Sequence, residues 1–135
     1  MEITQNEKNQ KTEEFKMRIF MFNMNLIELM TAVRNTLYNM EIKKQLIRSG
    51  TSVGANLFEA RGANSKKDFI RFFEYSLKSA NETKFWLCLL AETKLIEKEN
   101  TEKCKYLIKE IKEISNIFAA SIMTMKNKRK SKDKL

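Results

Sequence analysis

Residues 45–90 read QLIRSGTSVGANLFEARGANSKKDFIRFFEYSLKSANETKFWLCLL, and they open with a helical segment built largely from small side chains. Gly50, Ser52, Gly54 and Ala55 stand where a core helix normally carries bulky groups. That spacing lets two helix backbones approach closely while polar side chains stay between them. Ser52, Asn56 and Glu59 fall at i, i+4 and i+7 and share one helix face. Arg48, eleven residues before Glu59, has nearly the same azimuth. Gly62, Ala63 and Asn64 then break the helix, glycine being suited to the left-handed terminal conformation. Ser65-Lys66-Lys67-Asp68 reads as a capping box that starts the next helix.

The helix that follows is predicted over residues 66 to about 95, with Phe69, Phe72, Phe73, Leu77, Ala80, Trp86 and Leu90 as its apolar positions. Upstream, residues 1–14 are polar, charged and without period, and are read as disordered. From Phe15 the apolar residues Ile19, Phe22, Leu26, Leu29, Val33 and Leu37 recur at spacings of three and four. This is an amphipathic helix. Phe20, Met21, Met24, Ile27 and Met30 lie off that stripe and give it a second apolar face. Such a face requires a cover, either another subunit or deep burial within the monomer.

A turn is expected at residues 39–41, and a second helix over about 41–61 through Leu46, Val53, Leu57 and Ala60. After a polar gap at 97–101, Cys104, Ile111, Phe118 and Met125 recur every seven residues, with Leu107, Ile114 and Ser121 as a companion row. That is a coiled-coil-like seam. The expected fold is all-α, an antiparallel up-down-up-down four-helix bundle over residues 15–125, followed by a basic tail at 126–135.

Composition points the same way. With no proline and three glycines in 135 residues, little interrupts the helical hydrogen-bond ladder. The lack of histidine removes the commonest general base near neutral pH and the commonest metal ligand. Cys88 and Cys104 fall on apolar faces of separate helices and read as buried free thiols, too few for a zinc site. No cofactor and no metal are expected. The polar N-terminus is no signal peptide, and the most apolar run, residues 19–33, is too short to span a bilayer. A cytoplasmic protein without membrane contact is expected.

The net charge of +9 is unevenly spread. Lys126, Lys128, Arg129, Lys130, Lys132 and Lys134 face a single acid, Asp133, in the last ten residues. Arg61, Lys66, Lys67 and Arg71 cluster at the turn between helices two and three. Together they form the candidate phosphate-binding set, against a plain alternative of solvated surface. Gly50 to Gly54 is not a phosphate-binding loop, lacking both the preceding strand and the Gly-Lys-Ser/Thr ending. Ser52, Asn56 and Glu59, with Ser76, Ser79 and Glu82, are assigned to a buried polar network that fixes helix register. The competing reading makes Glu59 and Glu82 an acid–base pair. Without histidine, metal ligands or a placed nucleophile, no enzyme is expected. Trp86 and its neighbours Phe85, Leu87, Leu89 and Leu90 read as core or interface rather than a base-stacking platform.

Gln45-Leu46-Ile47-Arg48, Ser52-Val53, Asn56-Leu57 and Glu59, followed by Asp68-Phe69-Ile70-Arg71-Phe72, Ser76, Ser79 and Glu82, resemble the bacterial four-helix-bundle family. These are the intervening-sequence proteins of 23S ribosomal RNA, also called S23-like. The likeness covers roughly residues 15–125, with Phe58 and Ala60 departing from the usual Asn-Ile-Ala-Glu-Gly. The resemblance implies a homopentameric barrel of bundles. It also implies kinship to the basic accessory protein of diversity-generating retroelements, which binds nucleic acid and a reverse transcriptase. The function expected is non-enzymatic, oligomeric RNA or DNA binding with little sequence reading. The alternative is a protein-interaction scaffold that binds no nucleic acid.

Overall fold

The computed structural model describes residues 4–93 and 96–133. Helix α1 (Gln5–Ala32) starts well before the apolar stripe does. Thr4 Oγ1 accepts from the Glu7 amide at 3.2 Å, and the Thr4 amide donates to the Glu7 carboxylate at 2.9 Å. This capping box satisfies first-turn donors, so the expectation of disorder through residue 14 does not hold from Thr4 onward. Helix α2 (Leu37–Ala60) starts four residues earlier than expected, capped by Thr36, which accepts from the Asn39 amide at 3.1 Å. Leu37 therefore lies outside α1, and at 82% exposure it is not part of the inward stripe.

Helix α3 (Lys66–Glu92) is capped by Ser65, through a 3.1 Å bond from the Asp68 amide, but the expected capping box is only half made, the Asp68 carboxylate lying 3.9 Å from Arg71. Helix α4 (Lys98–Asp133) is the longest, at 36 residues. The segment expected as a separate tail continues this helix through residue 133. Residues 134 and 135 lie outside the described range, as do residues 1–3 and 94–95.

Among the described residues each helix packs against two others and none across a diagonal, with α2–α3 and α3–α4 the most extensive pairs. This is the antiparallel four-helix bundle that the periodicity predicts. The inner row of α4, Cys104, Leu107, Ile111, Ile114 and Phe118, is buried throughout. Phe118 takes Phe15 and Phe73 edge-on, with ring centroids at 5.1 and 5.5 Å, the arrangement aromatic quadrupoles favour. Burial pushes the Cys104 thiol up to about 12, with Cys88 adding to the shift. Both cysteines are free, but Cys88 is exposed rather than buried.

The α1 stripe of Ile19, Phe22, Leu26, Leu29 and Val33 is inward as expected, and Met30 joins it instead of facing out. Two contacts set this azimuth. On one side Arg18 Nε donates to Glu110 of α4 at 2.9 Å, and its Nη2 also reaches Glu113. The hydrogen bond from Arg18 holds the Glu110 carboxyl below its usual range. On the other side α1 lies against the small residues of α2. A Cβ on Gly50 would overlap Leu26 Cδ2, and one on Gly54 would sit 3.3 Å from Ile19 Cγ2.

With α1 so oriented, Met17, Phe20, Met21, Met24 and Ile27 stay exposed, Phe20 at 58%. The deep-burial alternative for this face therefore fails within the single chain.

The glycine contact gives a signed prediction. Alanine at Gly50 gains roughly 0.5–1 kcal/mol of backbone entropy, but displacing fully buried Leu26 costs about 1–3 kcal/mol. Gly50→Ala should lower the thermal midpoint. Gly62→Ala, where the nearest atom is a backbone oxygen at 3.7 Å, should not. Paired thermal melts check this, and equal midpoints would show that α1 and α2 do not pack through Gly50.

Candidate nucleic-acid interface

Antiparallel alternation brings the end of α2, the start of α3, the end of α4 and the start of α1 to one end of the bundle. The two groups of cations, some sixty residues apart in sequence, meet there. Arg61 and Lys66 line a cavity of about 380 Å³ together with Lys128. Beside it, Lys67 and Arg71 line a groove of about 490 Å³ with Lys126, Arg129 and Lys130. Ile70 is common to both. The side chains of Lys132 and Lys134 lie outside the described set.

Only part of this charge is neutralised. Arg61 pairs with Glu13 of α1 at 2.8 Å, Arg71 with Asp68 at 3.9 Å, and Lys126 with Glu74 at 3.4 Å. Lys67, Lys128, Arg129 and Lys130 have no ion-pair partner among the described residues, and all are exposed. Exposed pairs of this kind contribute little to stability, about 0–1 kcal/mol each. The surface is thus an exposed concavity with an excess of positive charge.

The polar network is arranged differently from the expectation. Glu59 is exposed. Ser52 Oγ donates to the Arg48 carbonyl at 2.7 Å and Asn56 Nδ2 to the Ser52 carbonyl at 2.9 Å, both within α2. Ser79 contributes its carbonyl, which accepts from Thr83 at 2.7 Å. Glu82 pairs with Arg48 across α2–α3 and accepts from Trp86 Nε1 at 3.4 Å. The buried polar contacts lie one position round the helix from the expected face. Ser76 Oγ donates to the Val53 carbonyl at 2.8 Å, and the Ser49 and Thr83 hydroxyls stand 2.9 Å apart. Of the six residues assigned, only Ser76 is buried.

These pairs also fix the register of α2 on α3. Val53 lies opposite Ser76 and Arg48 opposite Glu82, so Glu59 is level with the first turns of α3, roughly 16 Å along the axis from Glu82 at 1.5 Å per residue. Glu59 and Glu82 cannot act as an acid–base pair across one substrate.

Fold and surface together describe an all-helical bundle with a basic end. The chain belongs to the 23S rRNA-intervening sequence protein family, whose pattern matches residues 8–117. It is similar to a crystal structure of a protein of unknown function from the S23 ribosomal protein family of Bacteroides thetaiotaomicron. The two share 34% identity, with 80% of this chain and 97% of that one covered, at a TM-score of 0.67. No curated protein matches the chain.

The revised network predicts opposite outcomes for two substitutions. Thr83→Val strands the Ser49 hydroxyl in the α2–α3 interface and should cost about 1–3 kcal/mol. Glu59→Ala, on an exposed face, should stay within about 0.5 kcal/mol of the parent protomer. Urea unfolding checks both. A larger loss for Glu59→Ala than for Thr83→Val would restore the face that the sequence pattern suggested.

Proposed function

We propose that this protein is a non-enzymatic, cytoplasmic, oligomeric binder of RNA or DNA that contacts phosphates with little sequence reading. The observation that carries it is the convergence of two separate basic segments on adjoining concavities at one end of the bundle. Charge therefore supplies affinity, and the binding is salt-dependent.

The exposed apolar side chains support the oligomeric part. Phe20 of α1 and Phe58 of α2 line one cavity of about 130 Å³, and Met17, Met24 and Ile27 extend the surface along α1. A continuous exposed patch of this kind marks an interaction site on a protein that remains in solution. The family resemblance supplies the number five. The same surface favours a second reading, a scaffold that holds a partner protein such as a reverse transcriptase without binding nucleic acid.

Filter binding on 23S ribosomal RNA across a salt series separates the readings. Affinity should fall steeply with salt, and the variant Lys128→Gln/Arg129→Gln/Lys130→Gln should reduce the slope of log K against log salt by about 2–3, at roughly 0.7–0.9 per lost phosphate contact. No binding by the intact protein at low salt would leave the scaffold reading.

Assembly is tested separately. Multi-angle light scattering should give a mass of several 16.0 kDa chains, and Phe20→Lys/Met24→Lys should reduce it to one chain. A monomer at micromolar concentration in the parent protein would defeat the oligomeric reading.

A further inference from the structure

The cavity of about 380 Å³ at the basic end differs in kind from the groove beside it. Its lining is mainly apolar, from Ala60, Ala63, Phe69, Ile70 and Met125, with Arg61, Lys66 and Lys128 among them. Phe69 is half-buried, tilted against Phe73 with centroids at 4.9 Å, and it also lines a neighbouring cavity of about 430 Å³ with Arg61. The adjoining groove carries Lys67, Arg71, Arg129 and Lys130. At about 380 Å³ the cavity lies in the ordinary range for a small-molecule site, roughly 300–1,000 Å³. An apolar hollow rimmed by like charges suits an anion with a flat, apolar body.

We propose that this cavity receives one unpaired base of a single-stranded nucleic acid, with the neighbouring phosphates running along the cationic groove. This rests on the nucleic-acid-binding reading and narrows it to a strand state. Stacking platforms beside basic tracks are the general solution for single strands, because every base has a π-face. A duplex can offer a base only after unpairing and unstacking it. Charge alone predicts the reverse order, since duplex DNA carries the denser phosphate array and the larger counterion release. The sign of the strand preference therefore separates a base pocket from a plain basic patch.

The test uses fluorescence anisotropy on the full-length protein with three labelled probes at one salt concentration. They are an oligothymidylate of about twenty nucleotides, longer than a typical single-strand site, a strand of the same length with abasic sugars throughout, and a blunt duplex of that length. The oligothymidylate should bind about tenfold more tightly than either of the others, the scale of one stacked base. Ala63→Leu, which narrows the cavity and leaves every cation in place, should bring the oligothymidylate down to the abasic level without changing the melting temperature. Equal affinity for oligothymidylate and abasic strand, or tighter binding of the duplex, would overturn the base pocket while leaving nucleic-acid binding intact. Failure of all three probes to bind would remove both.

Discussion

The close approach of α1 to Gly50 and Gly54 of α2 is the constraint on which the other features depend. Leu26 occupies the space that a Cβ on Gly50 would take, and Ile19 would stand only 3.3 Å from one on Gly54. Once they are seated, α1 has a single azimuth: its three–four stripe closes the core and its opposite side faces out. The exposed row of Phe20, Met24 and Ile27 is therefore a consequence of the packing and not an imperfection of it. Phe20 joins Phe58 across the same stretch of α2 that carries Gly54. One run of small residues thus both closes the bundle and builds the apolar surface beside it.

The basic end follows from topology rather than from any local motif. Lys66 and Lys67 occupy the first turn of α3, where the helix dipole disfavours cations. Lys128, Arg129 and Lys130 near the end of α4 are favourably placed by the same rule. Their juxtaposition costs repulsion, which water screens to about 1 kcal/mol per close pair, and Glu13, Asp68 and Glu74 offset part of it. A surface selected for stability alone would alternate the signs at α3. Asp68, in the same first turn of α3, meets the dipole with the opposite sign and pairs with Arg71.

Much of the fold was legible because periodicity reports burial directly. The sevenfold row of α4 and the stripe of α1 needed nothing beyond spacing. The boundaries were less accessible. Thr4 and Glu7 carry a capping-box pattern, but it precedes a polar stretch with no apolar period to mark a helix. Thr36 caps α2, yet Leu37 and Tyr38 continue the hydrophobic run of α1 and conceal the break. The charge run at 126–133 reads as a tail because lysines bury nothing, although lysine and arginine are good helix formers and no proline or glycine stops them.

The polar residues show where spacing alone is insufficient. Ser52, Asn56 and Glu59 do share a face, but a face becomes buried only if its apolar neighbours pull it inward. On α2 the buried positions are Asn39, Ile42, Leu46, Ser49, Gly50, Val53, Leu57 and Ala60, which leaves Ser52 and Asn56 at the margin and Glu59 in solvent. The signal for the true network was present on α3, where Ser76, Thr83 and Leu90 repeat every seven residues beside Ala80 and Leu87. Small polar side chains in a heptad row face their partner helix because the row does, and each is close enough to an acceptor to be satisfied. The candidate interface has no such row to announce it. Its members belong to the α2–α3 turn and to two helices, and became one surface only when that turn and the last turns of α4 were placed side by side. If copies assemble through the apolar face of α1 and α2, each brings its own basic end, and linked weak sites hold a long polyanion more tightly than any one of them.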